Sequence, residues 1–199
     1  VFKFHFTFVG GLKVWECALD LVEFLSTENV VENGMKILEL GCGAGLPGIF
    51  AFLKGATVHF QDFNYEVLDL LTIPNVLMNS QPVESMVSTR CRFFAGEWTA
   101  VGKFLTEILD IKNDRYDIIL TSETIYNIDN QPKLLHLMKS TLKPTGTIYL
   151  AAKTHYFGLG GGTRQFEELV RIDGTFDIKV RQVVSKGLQR EILQMNFRA

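Results

Sequence analysis

Short apolar runs alternate with helical segments over most of the 199-residue chain, and this alternation strongly constrains its fold. Parallel strands cannot be joined by a tight hairpin, so each consecutive pair needs a longer crossover, usually a helix. Such crossovers are right-handed and place helices on both faces of an open sheet. We therefore expect an α/β fold with parallel strands at Lys36–Leu40, Thr57–Gln61, Cys91–Ala95, Tyr116–Leu120 and Thr147–Ala152.

The last two apolar runs, Phe176–Val184 and Glu191–Phe197, follow one another without a helical segment between them. A short connection between two such runs predicts an antiparallel hairpin. This hairpin inserts one antiparallel strand into the sheet. The expected sheet is therefore mostly parallel with an antiparallel C-terminal hairpin.

The chain length predicts a single domain over residues 1–199, since about 150 residues make one domain. Residues 1–34 should precede the sheet core as a strand with alternating phenylalanines and an amphipathic helix. Because the chain begins with valine, we expect that an N-terminal extension is missing. Residues 75–90 are polar, contain Pro82 and lack clear periodicity, which predicts a surface loop.

The composition argues against several classes of protein. A net charge of −2 gives no bulk attraction to nucleic acid, so direct nucleic-acid binding is not expected. No segment approaches the about 18 consecutive apolar residues of a membrane helix, so no membrane partner is expected. The three cysteines, Cys17, Cys42 and Cys91, lack CxxC spacing. They predict neither a disulfide framework nor a zinc cluster, and no metal site is expected.

A glycine-rich segment, Gly41–Gly45, follows the first predicted strand and opens a predicted helix. Glycines at this point allow a tight turn and the close approach of a ligand. In open parallel sheets, ligands bind at the carboxyl ends of the strands. The pattern is GxGxG rather than the GxGxxG of dinucleotide-binding proteins, which argues against NAD. A purely structural turn between strand and helix is the alternative.

Two further polar elements follow the next two predicted strands. Asp62 ends the second strand, where a carboxylate can accept both hydroxyls of a ribose. Glu97 and Trp98 follow the third strand and offer an acceptor and a flat surface beside an adenine ring. A helix cap for Asp62 and a core position for Trp98 are the alternatives. Together with the glycine segment, these elements predict a nucleoside cofactor.

The ExGxGxG pattern, the acid after strand two and the antiparallel terminal pair resemble the seven-stranded, Rossmann-like methyltransferases. The resemblance implies S-adenosyl-L-methionine as the cofactor. It also implies that Glu39, the acid that begins the motif, lies near the methionine amine. Because the sulfonium already activates its methyl group, the protein needs mainly to align a nucleophile.

Residues 11–17, 121–127 and 153–162, together with Gly96-Glu97-Trp98, resemble the protein-histidine methyltransferases. The resemblance implies methyl transfer to the tele nitrogen of a histidine in a large-subunit ribosomal protein. It also implies a monomeric enzyme with a cytoplasmic, nuclear and nucleolar location. The cofactor-binding residues carried over are Trp15, Glu16, Gly41, Gly43, Gly45, Asp62, Phe63, Asn64, Glu97, Trp98 and Ser122.

A histidine acceptor needs little help to become a nucleophile, because its imidazole is mostly neutral at pH 7. It does need a group that fixes the far ring nitrogen and stabilises the imidazolium. Glu123, at the end of strand four, is the first candidate, although an acid at a helix N-terminus is the alternative. Tyr126 is the second candidate, as a wall for the acceptor ring. His155, after strand five, is a candidate for substrate contact.

The sequence is also compatible with three other functions. Glu123 and Tyr126 also fit the acid-x-x-Tyr spacing of the neighbouring lysine methyltransferases. A catalytically silent scaffold that binds the cofactor and assists ribosome assembly is the second alternative. A small-molecule methyltransferase, which would have a closed apolar pocket, is the third.

Overall fold

A seven-stranded sheet with the order β3-β2-β1-β4-β5-β7-β6 organises the computed structural model. The structure describes residues 14–80, 85–108 and 114–198. Strands β1 to β5 are parallel, and β7 is antiparallel to both β5 and β6. The expected mostly parallel sheet with an antiparallel hairpin is confirmed. The strands are β1 (Lys36–Leu40), β2 (Thr57–Asp62), β3 (Cys91–Ala95), β4 (Tyr116–Ser122), β5 (Leu142–Lys153), β6 (Phe176–Val184) and β7 (Arg190–Phe197).

Helices cover both faces of the sheet, as the alternation of the sequence predicts. Successive side chains of a buried strand point to opposite faces, so Ile37 packs in one core layer and Leu38 in the other. Helices α1, α2, α4 and α5 contribute to the first layer, and α6, α7 and α8 to the second. The helices are α1 (Glu16–Glu28), α2 (Leu46–Leu53), α3 (Tyr65–Val67), α4 (Ile73–Ser80), α5 (Ser85–Arg90), α6 (Trp98–Ile108), α7 (Gln131–Thr141) and α8 (Thr163–Asp173).

The prediction of a surface loop at residues 75–90 is wrong, because α4 and α5 occupy most of this segment. Val76 is fully buried, and Asn75 is also buried, with its amide donating to the Ala44 carbonyl at 3.1 Å. Because the polar Asn75 occupies a buried position of α4, the apolar residues of this segment do not follow a clear helical spacing.

The chain stays helical through Pro74, because a π-helical turn, Leu68–Thr72, leads directly into α4. Proline has no N–H to donate, and π turns are one way in which a helix accommodates such a break. Pro144, Thr145 and Gly146 lie within β5, where the pairing with β4 is irregular between Tyr116 and Ile118. The predicted N-terminal strand lies outside the described residues.

The order of the strands brings the carboxyl ends of β1, β2, β3, β4 and β5 to one edge of the sheet. The glycine segment, Asp62, Glu97 and Glu123 all follow strand ends at this edge. No helix in the described part of the chain has both the length and the apolar character needed to cross a membrane.

Candidate functional site

A cavity of about 430 Å³ opens at the carboxyl edge of the sheet. This volume lies in the range of small-molecule and cofactor sites. Eleven residues proposed from the sequence line it: Trp15, Gly41, Gly43, Asp62, Phe63, Asn64, Glu97, Trp98, Ser122, Glu123 and Tyr126. Six lining residues were not anticipated: Val67, Leu71, Gly96, Thr124, Asn130 and Lys133.

The glycine segment closes one side of the cavity. Gly41 has a φ of +60° and lies so close to Thr124 that an added Cβ would approach its methyl group to 2.5 Å. Gly43 has a φ of +51°, and an added Cβ there would meet nothing within 4 Å. Only glycine adopts this backbone without strain. The segment therefore presents main chain, rather than side chains, to a ligand.

Gln61, a residue that the sequence analysis missed, fastens this segment to the neighbouring loop. Its Oε1 accepts the Gly41 N–H at 3.2 Å and the Trp98 indole N–H at 3.0 Å. Its Nε2 donates to the Gly96 carbonyl at 2.8 Å. The signal in the sequence is a polar residue near the end of an otherwise apolar strand, and the side chain is buried.

Asp62 joins the glycine segment to the start of the next helix. Its Oδ2 accepts the Gly43 N–H at 3.0 Å, and its Oδ1 accepts the Asn64 N–H at 3.1 Å. Each carboxylate oxygen has a second lone pair, and the half-buried side chain lines the cavity. This acceptor, the Trp98 indole and the open main chain at Gly43 fit the ribose and adenine of S-adenosyl-L-methionine.

Glu39 and Gly45 do not line the cavity, contrary to their expected places beside the cofactor. Glu39 is buried, and its Oε2 accepts the Gly48 N–H at 2.9 Å at the start of α2. Burial raises the pKa of this carboxyl well above its usual range. Gly45 packs against Thr72 and Phe60. Both residues support the glycine segment from behind.

Glu123 faces the other side of the cavity from a strained backbone. Its φ is +57°, a conformation uncommon for residues other than glycine and one that is enriched at functional sites. Its N–H donates to the Ala151 carbonyl of β5 at 2.9 Å. The alternative role at a helix N-terminus does not apply, because the next helical turn begins only at Ile128.

The two carboxylate oxygens of Glu123 have different surroundings. Oε2 accepts the Tyr156 O–H at 2.5 Å. Oε1 lies 3.6 Å from the Lys153 ammonium and accepts no hydrogen bond from the residues that the structure describes. The Cys17 thiol is also close, and burial together with the Glu123 charge raises its pKa, so it remains a neutral thiol. One oxygen of this carboxylate is therefore held by the Tyr156 hydroxyl, and the other is buried without a hydrogen bond from the described residues.

Lys153 connects this carboxylate to the start of α1. Its ammonium lies 4.0 Å from Glu16 Oε2 and 5.0 Å from the centre of the Trp15 ring. Trp15 lines the cavity, whereas the exposed Glu16 does not and meets the site only through Lys153. Lys153 and Tyr156 were not proposed from the sequence. The available signal was a lysine that ends a buried strand.

Of the other two residues proposed for the acceptor side, Tyr126 lines the cavity and His155 does not. Tyr126 lines the cavity with its side chain about half exposed, and its ring centre lies 6.2 Å from that of Tyr156. His155 is exposed and is not among the lining residues. The side chain that contacts Glu123 from this loop is that of the neighbouring Tyr156.

The loop after β5 is tied to the loop after β4. The Gly161 N–H donates to the Tyr126 carbonyl at 3.2 Å, and Asn127 forms an antiparallel bridge with Gly160. An added Cβ at Gly161 would come within 2.2 Å of the Ile125 carbonyl. The two loops are therefore joined to each other, and the loop after β4 lines the cavity.

The sheet order, the glycine segment and the acid after β2 together define the Rossmann-like methyltransferase fold class. A solved structure of magnesium protoporphyrin IX methyltransferase from Synechocystis PCC 6803, with bound SAH, has a similar fold. Its TM-score is 0.67 at 14% identity, over 92% of this chain and 81% of that chain. At this identity the likeness establishes the fold alone.

A family model described as lysine methyltransferase matches residues 8–160, and the chain belongs to this methyltransferase family. Histidine protein methyltransferase 1 homolog of Dictyostelium discoideum is 44% identical over 94% of this chain and 57% of that protein. Its Bos taurus counterpart is 39% identical over 95% of this chain and 56% of that protein. The chain thus spans little more than half the length of these relatives. Family membership supports S-adenosyl-L-methionine as the cofactor.

Proposed function

We propose that this chain carries the activity of a protein-histidine methyltransferase that uses S-adenosyl-L-methionine and modifies the tele nitrogen, Nε2, of its acceptor. The observation that carries the proposal is the buried Oε1 of Glu123, which receives no hydrogen bond from the described residues and belongs to a residue that lines the cavity together with Tyr126. A carboxylate oxygen in this place can accept the N–H of an imidazole ring. The histidine methyltransferase relatives support the same acceptor.

The chemistry asks little of the protein beyond alignment. The cofactor supplies, when bound, a methyl group that its sulfonium has already activated. A neutral imidazole attacks without a general base, because one ring nitrogen carries a lone pair while the other keeps its proton. Glu123 would accept that N–H and orient the ring, and Tyr126 would form its wall. The methylated ring is an imidazolium that releases its remaining proton to water.

The charges at the acceptor side suit this product. Glu16 and Glu123 carry two negative charges and Lys153 one positive charge, so the three side chains together carry one negative charge. A developing imidazolium would be stabilised by this excess, and a preorganised charge of this kind lowers the barrier. The same excess would favour a cationic segment of a protein substrate.

We propose a basic protein of the large ribosomal subunit as the substrate, met by a monomeric enzyme in the cytoplasm, nucleus and nucleolus. No direct contact with nucleic acid is required, because the net charge of −2 gives no bulk attraction to RNA. A protein segment would reach the cavity past the exposed Trp15 and Tyr126.

The proposal is tested by incubating the chain with labelled S-adenosyl-L-methionine and ribosomal fractions, and then locating the methyl group by mass spectrometry. In a second experiment, the chain is incubated with matched peptides that carry histidine, lysine or alanine at the labelled position. We expect label on histidine only, as the tele isomer. Label on lysine alone would overturn the histidine assignment.

Methyl transfer to lysine is the second candidate, because Glu123 and Tyr126 keep the acid-x-x-Tyr spacing and the matching family model is described as lysine methyltransferase. A lysine acceptor has an ordinary pKa near 10.4, so it must first lose a proton. The peptide comparison above separates the two acceptors.

A further inference from the structure

A directed chain of hydrogen bonds ends on Glu123. The backbone N–H of Lys153 donates to the Tyr156 hydroxyl oxygen at 3.3 Å, and that hydroxyl donates to Glu123 Oε2 at 2.5 Å. The hydroxyl has one proton, so the first bond leaves it free to donate to the carboxylate. Burial, followed by the Glu123 charge, raises the pKa of Tyr156, and the proton stays on the phenol.

The Lys153 side chain acts on the opposite oxygen. Its ammonium is close enough to attract Oε1 at 3.6 Å but makes no hydrogen bond to it. The cation is itself restrained by Glu16 at 4.0 Å and by the Trp15 ring. The carboxylate is thus fixed through Oε2, and its Oε1 is buried without a hydrogen bond from the described residues, on a side chain whose residue lines the cavity.

A fixed carboxylate also determines which ring nitrogen can react. The nitrogen that donates to Oε1 keeps its proton, and the nitrogen across the ring presents its lone pair. If the carboxylate could swing, the ring could turn over and present the other nitrogen.

We propose that Tyr156 and Lys153 are positioning residues that set ring-nitrogen selectivity by fixing Glu123. The inference rests on the proposed histidine methylation. Neither side chain lines the cavity, so both would act through Glu123. Alignment of this kind is worth several orders of magnitude in rate, and small displacements of a positioned group are costly.

The test measures wild type, Tyr156→Phe, Lys153→Met and Lys153→Arg on one histidine peptide. For each variant, kcat, the peptide KM, the cofactor Kd and the melting temperature are determined. The ratio of the two methylhistidine isomers is measured by chromatography and mass spectrometry after hydrolysis. Tyr149→Phe is the matched control, because Tyr149 lies on the same strand, β5, and does not line the cavity.

We expect Tyr156→Phe to lower kcat about tenfold, the value of one hydrogen bond to a charged group. The cofactor Kd should stay within about twofold of wild type, since Tyr156 does not line the cavity. The share of the minor isomer should rise. Lys153→Met should shift the isomer ratio in the same direction, and Lys153→Arg, which keeps the charge, should retain more of the wild-type ratio.

An unchanged isomer ratio in Tyr156→Phe and Lys153→Met would overturn the inference, whether or not kcat falls. A fall in kcat that follows the melting temperature, with Tyr149→Phe equally affected, would assign these residues to stability alone. If wild type labels lysine and no histidine, the proposed function fails, and the inference fails with it. Wild type with normal histidine methylation and unaltered variants overturns the inference by itself.

Discussion

The two sides of the cavity differ in the parts of the chain that form them. On the cofactor side, at the ends of β1, β2 and β3, the main chain of the glycine segment lines the cavity together with Asp62 and Trp98, and the buried Gln61 side chain holds this main chain from behind. On the acceptor side, at the ends of β4 and β5, the reactive group is a side chain, Glu123. It is held by other side chains from separate parts of the sequence, Tyr156 and Lys153.

The difference separates what each side has to do. Binding a nucleoside requires close approach and fixed donors and acceptors, which a glycine segment supplies through its own backbone. Guiding an acceptor ring requires one charge at one place, which only a supported side chain provides. Damage to one side should therefore leave the function of the other largely intact.

The largest effect is expected from Glu123→Gln on the acceptor side. Because the carboxylate charge that would stabilise the imidazolium is lost, kcat should fall about 100-fold, as for other preorganised groups. Isothermal titration with the cofactor product should give an unchanged Kd. Glu16→Gln, at an exposed position, is the milder control. A weakened Kd with normal kcat would contradict the separation of the two sides.

The next effect is expected from Asp62→Ala on the cofactor side. This change removes the proposed ribose acceptor and the bond to the Gly43 N–H. Cofactor affinity should fall about 30-fold, the cost of losing one or two hydrogen bonds to a charged group. At saturating cofactor, kcat should remain near wild type. Calorimetry and steady-state kinetics measure both values, and a drop confined to kcat would refute the assignment.

We expect the free energy of unfolding to depend on pH through His59, a residue of the sheet that lines neither side of the cavity. His59 is buried beside Tyr116, with Nδ1 and the hydroxyl 2.7 Å apart. Burial and the Lys36 charge lower its pKa to about 4. An unfolded histidine takes up a proton near pH 6.5, so the native state loses relative stability as pH falls from about 6.5 toward about 4.

The expected loss from this histidine is about 2 kcal/mol in the free energy of unfolding between pH 7 and pH 5. Urea titrations of wild type and His59→Gln at both pH values measure it. The glutamine variant should lose less stability than wild type over this interval. Equal losses in the two proteins would show that His59 does not carry the effect.

The smallest effect is expected from Lys133→Ala, a lining residue of the cofactor side. Its ammonium is 3.5 Å from Glu97 Oε2, and both side chains are about half exposed. Solvent screens such a pair, so the free energy of unfolding should change by less than about 1 kcal/mol. Cofactor affinity should change less than about threefold. A loss as large as that of Asp62→Ala would mean that Lys133 contacts the cofactor directly.

The sequence alone predicted the sheet, its antiparallel hairpin and most of the residues that line the cavity. This was possible because parallel topology carries the ends of successive strands to one edge, wherever the intervening helices go. Asp62, Trp98 and Glu123 each follow a strand end, so a local pattern was enough to place them together.

Tertiary structure decided the rest. It placed Glu39 behind the glycine segment, left His155 outside the cavity and turned Tyr156 onto Glu123. It also made helices of residues 75–80 and 85–90, and there the Asn75 amide pairs with a distant carbonyl. These outcomes depend on hydrogen bonds and charges between residues far apart in the chain. No local periodicity encodes such partners, because a side chain's direction follows from what it meets after the sheet has assembled.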